Sequence, residues 1–592
     1  MDKAVEKAYG KVIWVFSFFI LLLFVWFSLV STSTVSLMEK VFFTDISGIP
    51  YLIALVISLG ISLIPPVNES IVSFGKKLDE NKKLFGILYF SLILLILLVS
   101  VLWVCLTDFD SWADSADIQK AALGLINGDY TAYLVTGYIG RWQNQIGLAL
   151  IEAPVIALFG ERSPMVFQLI NALCIPVIIT SLSRFTSSKL HKLLVLLTGL
   201  FWLPLILSAS HIYGNVPGLM LSLLSFVYLY ECFEKEKLSC GILSAFLIAF
   251  ACLVKQNYII FLIAYFLICT VRSVKKKKAV YIAIALSAAV MSILFTKAAT
   301  GITEHITGFK IEGGVSKWSY IAMGMQEGER APGWFNEYNT DSYDSAGCNT
   351  SFQTENARAE IGKSILSFTE HPSYMISFYT KKLASQWNDP TFQTIWYLRG
   401  HGSKLPAPID YMVSIYGSYK VIPYFKFFEV VIYLSAFLFI CFERNIDEKT
   451  LLLLTTFIGG VLFHILWEAK AQYALFYFIL LIPVGVNGIG AFRKYAGGLI
   501  ADKNAKTEKE KKSADETETA EEKKTSEEKK TSDKTETAEE KKTAGMLRAD
   551  IIVCFVLFIL FLGVLYYLHI PGSLREGTVP YYQYIAENSI QN

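Results

Sequence analysis

Carboxylate gathers where an apolar run ends. The run 84–106 has the length of a membrane span, and LTDFDSWADSAD (106–117) then places Asp108, Asp110, Asp114 and Asp117 within ten residues. A carboxylate at that point is a candidate general base, able to take a hydroxyl proton from a reactant at the membrane surface. Other polar residues sit at the ends of other apolar runs. They are Arg141 in GYIGRWQNQ, His211 and Asn215 in SHIYGN, Lys255 in LVKQN, and His464, Glu468 and Lys470 in HILWEAKAQY. Polar groups at bilayer depth are costly and tend to face an interior cavity. Carboxylates with isolated cations describe a site that holds an anionic head group and removes a proton. No CxxC or other metal-ligand spacing occurs, so no metal ligands and no cofactor are expected. Two isolated histidines with an acid leave a divalent ion as the lesser alternative.

The elements that must position these residues are helices in a bilayer. The chain has 592 residues, is 54% hydrophobic and 14% aromatic, and has a mean hydropathy of +0.46. That is too apolar for a soluble protein of this length. A helix needs about 20 apolar residues to cross the hydrocarbon. About thirteen runs qualify on that basis: 12–31, 50–65, 84–106, 165–183, 193–209, 216–231, 240–256, 257–272, 279–297, 426–442, 450–467, 471–489 and 549–568. The expected fold is an all-α polytopic membrane protein with further helices at its outer face. The segment 145–160 is too short to span and contains Glu152 and Pro154. It is expected as a re-entrant or interfacial helix.

Lys and Arg in short loops set the orientation. The clusters are Lys76, Lys77, Lys82 and Lys83; Lys189 and Lys192; Lys235 and Lys237; VRSVKKKK ending at Lys278; Arg444 and Lys449; and Arg493 and Lys494. With a cytoplasmic N-terminus all of them fall inside, and the aspartate stretch faces out. The expectation is a multi-pass protein of the cell membrane. Its net charge of +2 gives no field suited to nucleic acid. Of nine cysteines only Cys348 lies in an outer loop, so no disulfide framework is expected there.

Five regions follow. Residues 1–297 form an N-terminal membrane module whose first outer loop is 107–146. Residues 298–425 are an outer loop with tryptophans at 318, 334, 387 and 396. Within it, two amphipathic helices broken at Pro372 are expected to lie on the outer membrane surface. Residues 426–490 return to the membrane. The segment 491–548 contains TETAEEKKT twice and has almost nothing to bury, which describes a disordered or transiently helical cytoplasmic linker. A last span and a short outer tail occupy 549–592.

The order of parts resembles the membrane glycosyltransferases of the C-type fold, similar to protein O-mannosyltransferases and the lipid A aminoarabinose transferase. Asp114, Ala122 and the GDY at 128–130 match the family's acidic residue, alanine and Gly-Asp-aromatic spacing. RWQNQIGLALIEAPVIALFG matches an outer half-helix ending in Phe-Gly, without its paired prolines. Asn215 stands where the family often has Asp. Val254, Lys255 and Gln256 match a Thr-Lys-Gly-like segment, and WEAKAQY one that usually ends in Arg-Tyr, with Gln472 for the Arg. The resemblance covers most of 85–490. It implies transfer of a sugar from a polyprenyl-phosphate donor to an outer glycan, glycolipid or protein acceptor, with inversion.

On that reading Asp114 is the general base, with Asp110 the alternative. The plain alternative for Asp114 is a cap on a helix starting near Ser115. Lys255 holds the phosphate, and Arg141, His211, Asn215, Glu468 and Lys470 are further phosphate or substrate contacts. For Lys255 the plain alternative is snorkelling; for Glu468 and Lys470 it is a mutual pair. Two rival functions remain open. A transporter or flippase of lipid-linked sugars would show polar residues at mid-membrane and related halves. A glycan ligase or polymerase acting on a diphosphate carrier would use more arginine.

Overall fold

In hydrocarbon each backbone N–H needs a partner within its own segment, so the apolar runs become helices. A computed structural model describes residues 2–36, 38–399, 405–443, 446–519 and 578–579. Among them eight helices are long and apolar enough to cross a membrane, or up to eleven if each of three bent pairs is one span. Twelve of the thirteen expected runs fall on helices; the thirteenth, 549–568, lies outside the described residues.

Several runs are not straight. Pro65 and Pro66 cannot continue a helix, so Ile49–Leu63 turns through 81° into Pro65–Glu80. Pro204 accompanies a 53° bend between Lys189–Phe201 and Pro204–Ser210. The expected run 471–489 is split into Ala471–Phe478 and a second helix at 48°. That second helix continues as Leu481–Thr519, so the start of the Lys/Glu/Thr-rich stretch is helical.

The basic loops meet at one end of the bundle. Lys275 reaches Glu6 at 2.6 Å and Glu448 at 2.9 Å, and Arg272 reaches Glu448 at 2.9 Å. Lys449 pairs with Glu234 at 2.8 Å, and Arg493 donates to Asn68 at 2.8 Å. The helices Lys82–Thr107, Lys189–Phe201, Leu238–Val254 and Glu448–Leu466 all start at this end. Their far ends lead to Asp114, His211, Lys255 and Glu468. That geometry gathers the chemistry at the other end.

Two features there differ from the expectation. The chain is not wholly helical: Thr32–Val35 and Val41–Thr44 form an antiparallel hairpin, and Thr578–Val579 pairs in parallel with its second strand. The β-branched runs TSTV and VFFT favour extended backbone. The two loop helices do form, as Thr350–Glu370 and Pro372–Trp387, broken at Pro372. The second is not a surface helix. Phe378, Lys382, Ala384, Ser385, Gln386 and Trp387 are buried in it, and it packs on the hairpin and on Ala471–Phe478. Trp387 stacks on Phe24 at 5.1 Å, so aromatic burial against protein outweighs the amphipathic pattern.

Candidate functional site

Each candidate residue sits at or beside a helix end. Lys255 has extended backbone between Leu238–Val254 and a 3₁₀ turn at Gln256–Tyr258. Lys470 is likewise extended between Glu448–Leu466 and Ala471–Phe478. Asp114 opens the helix Asp114–Asn127, whose N-cap is Ala113. The cap alternative for Asp114 is thereby removed, because no side chain caps this helix. Gly214, with φ of +73°, brings the 211–214 turn against Lys255's neighbour: an added Cβ would lie 2.8 Å from the Val254 carbonyl. Only glycine allows both the backbone and the approach.

These ends surround one cavity of about 780 Å³. It is lined by Asp114, Arg141, His211, Lys255, Glu468 and Lys470 of the expected site. The others are placed elsewhere. Asp110 is exposed and outside the lining. Asn215 is buried beside a small adjoining cavity, and its carbonyl accepts from the Tyr258 hydroxyl. Arg141 reaches the lining but is engaged: it pairs with Asp344 at 2.8 Å and donates to the Thr136 carbonyl at 3.0 Å.

Tyr213 joins the two central residues. Its hydroxyl donates to Asp114 Oδ2 at 2.9 Å and accepts from Gln145 Nε2 at 2.9 Å. Its ring carries the Lys255 ammonium 3.0 Å from the centroid. A desolvated cation on an aromatic face gains on the order of 2 kcal/mol. That contact offsets part of the cost of burying Lys255, which is 4% exposed and has no ion pair among the described residues. Burial lowers the Lys255 pKa to about 7, with Asp114 and Glu468 opposing the shift. The snorkelling alternative for Lys255 does not hold, because the ammonium ends inside the protein.

Glu468 is 6% exposed, and burial raises its carboxyl to about 7 against the pull of Lys470. It forms no ion pair with Lys470. Lys470 instead pairs with Glu39 at 3.1 Å. Burial pulls Lys470 down, yet Glu39, Glu468 and Asp114 outweigh it, so it stays charged above the ordinary lysine range. Burial and Lys255 push His211 down to about 3, so its imidazole is neutral; it stacks on Tyr397 at 4.3 Å. Trp112 and Trp396 pack at 5.0 Å, and Tyr320 stacks on Trp467 at 4.8 Å, giving the cavity aromatic walls.

Several site residues escape the sequence reading. Glu39 sits on the hairpin turn with φ of +59°, a left-handed backbone that costs a non-glycine residue on the order of 1 kcal/mol. It pairs with Arg330 as well as Lys470. Tyr138 lies against Tyr213 and Asp114, and burial raises its phenol well above the ordinary range. Lys382, fully buried, donates to the Gly324 carbonyl and to those of Ile465 and Trp467, both at 2.9 Å. It thus clasps the helix Lys317–Gly324, which carries Tyr320, to the segment carrying Glu468. The extended runs around SLMEK could have revealed the hairpin. Arg330 in EGERAPGW and Tyr213 in SHIYGN carry no local signal.

No group of three or more His, Cys, Asp and Glu that could hold a metal occurs among the described residues. No protein family, curated protein or solved structure matches this chain.

Proposed function

We propose that the chain is a membrane glycosyltransferase of C-type architecture that moves a sugar from a polyprenyl-phosphate donor to an acceptor outside the cell membrane. The observation that carries this reading is the union of Asp114 and Lys255 in one cavity through Tyr213. A base and a phosphate ligand are the two groups such a transfer needs. The acceptor hydroxyl oxygen attacks the anomeric carbon, and its proton passes to Asp114. The anomeric carbon–oxygen bond breaks, and polyprenyl phosphate leaves with the electron pair. Lys255 meets the charge that grows on that phosphate. One displacement inverts the anomeric centre. The leaving group is already a stable anion, so no general acid is required.

Two further features support a sugar on a lipid. The buried Gln143 Nε2 and Gln145 Oε1 lack hydrogen-bond partners among the described residues, and both side chains line the cavity. Sugar hydroxyls can satisfy both groups. One flank of the cavity is formed by Cys252, Leu253, Thr296, Ala299 and Thr300. Of these, the last three belong to Val280–Thr307, a mostly exposed apolar helix suited to lipid contact. The lysine-rich end is then cytoplasmic and the cavity faces outward, by the preference of basic loops for the inside. The acceptor is a glycan, glycolipid or protein.

The test is release of free polyprenyl phosphate from polyprenyl-phosphate sugars by the purified chain, with cell-envelope extract as acceptor. Wild type releases it, and Asp114→Asn lowers release by about two orders of magnitude or more. No release from folded wild type with any donor refutes the transferase reading.

A further inference from the structure

Three segments far apart in sequence converge on Glu39. The hairpin supplies Glu39, the loop after Lys317–Gly324 supplies Arg330, and the break before Ala471–Phe478 supplies Lys470. Backbone bonds fix the meeting: Val41 N donates to the Arg330 carbonyl at 2.9 Å, and Ala469 N to the Gly333 carbonyl at 2.8 Å. We propose that Arg330 and Lys470 form a second anion subsite of the cavity, apart from Lys255, which takes a phosphate or carboxylate group of a substrate.

The stoichiometry of charge carries the argument. Glu39 is the one carboxylate in ion-pair contact with these two cations, while Glu468 and Asp114 face Lys470 from farther away. The two Glu39 oxygens already serve Arg330, Lys470 at 3.1 Å and Gln393 at 3.3 Å. Arg330 has five N–H donors and Lys470 three, and Glu39 is the sole side-chain acceptor for either among the described residues. Glu468 pairs with neither. Orientation agrees with the count. The Arg330 side chain is 29% exposed and that of Lys470 16%, against 6% for Glu39. All three line the cavity, so the carboxylate lies behind and the cations lie toward the open volume. The Arg330 guanidinium rests over the Phe335 ring, 4.9 Å from its centroid, which holds its fork in place. A pre-placed arginine fork beside a lysine suits a two-oxygen anion.

This inference rests on the transferase reading only for the source of the anion. That source is an anionic group either on the transferred sugar or on the acceptor. The binding claim stands by itself and is tested without turnover. The probes are inorganic pyrophosphate and inorganic phosphate, titrated into the full-length chain in detergent by calorimetry. Wild type should bind pyrophosphate about tenfold or more tighter than phosphate, because pyrophosphate offers the Arg330 fork and Lys470 more charged oxygens. Arg330→Gln should bring pyrophosphate down to the phosphate level. Glu39→Gln removes the competing carboxylate and should hold pyrophosphate affinity or raise it, which also covers the case in which Arg330→Gln does not fold. Equal binding of the two anions by wild type, or pyrophosphate affinity unchanged in folded Arg330→Gln, overturns the subsite. So does a fall to the phosphate level in folded Glu39→Gln. In turnover, a raised donor KM in Arg330→Gln names the donor as the source, and a raised KM for an anionic acceptor alone names the acceptor. Pyrophosphate binding that depends on Arg330, in a chain that turns over no donor, keeps the subsite and removes the transferase reading.

Discussion

Tyr213→Phe tests the internal logic of the site with one oxygen atom. The hydroxyl donates to Asp114 Oδ2 and accepts from Gln145 Nε2, while the ring supports Lys255. The substitution therefore removes the hold on the base and leaves the cation's support in place. A hydrogen bond to a charged group contributes about 1.5–3 kcal/mol. At about 1.4 kcal/mol per decade, its loss lowers kcat roughly ten- to hundredfold if all of it is expressed in the transition state. Donor KM should stay close to wild type, because the Lys255 contact survives. The buried Gln145 Nε2 loses its partner, at a cost to stability of about 1–3 kcal/mol. The assay is polyprenyl-phosphate release over a range of donor concentrations, with thermal unfolding of the same samples. Wild-type kcat in folded Tyr213→Phe refutes the claim that Tyr213 positions Asp114. A raised donor KM with normal kcat refutes the division of labour between hydroxyl and ring.

Two other perturbations follow from the same contacts. Lys382→Met leaves three carbonyl groups without their shared donor; it should cost about 2–4 kcal/mol and speed amide exchange at 320–335 and 465–473, read by hydrogen–deuterium exchange, while the basic end of the bundle keeps its protection. Burial holds Lys255 near a pKa of about 7, so its charge is present below that value and lost above it. Donor KM should accordingly rise as pH climbs through neutrality, and Lys255→Met, with a KM high at every pH, should lose that dependence.

The spans were legible because hydrocarbon leaves the backbone few options, and length with apolarity reports that directly. Bends at Pro65 and Pro204 follow from residues visible in the sequence, although the angles do not. Asp114, Lys255 and Glu468 were legible as polar residues at helix ends, and topology alone put them on one side. Their partners were not. Glu39 reads as one acid in a short turn, and Arg330 as one of several charges in EGER. Each gains meaning only from a contact about 290 residues away in sequence. Pro372–Trp387 shows the opposite failure. Its amphipathic stripe is real, but its polar face holds Lys382 and Gln386 in buried hydrogen bonds, so a pattern read for the membrane surface serves protein packing. Arg141 also looked available from sequence, and its pairing with Asp344 depends on a loop that no local pattern places.

In the proposed reaction a base and a phosphate ligand act together on a lipid-held sugar in this cavity. The most direct measurement compares binding of a radiolabelled polyprenyl-phosphate sugar with its single-turnover cleavage in wild type, Asp114→Asn and Lys255→Met. The proposed division of roles has Asp114→Asn bind the donor as wild type does and fail to cleave it, while Lys255→Met binds it at least about tenfold more weakly. Binding and cleavage unchanged in both folded variants would contradict it.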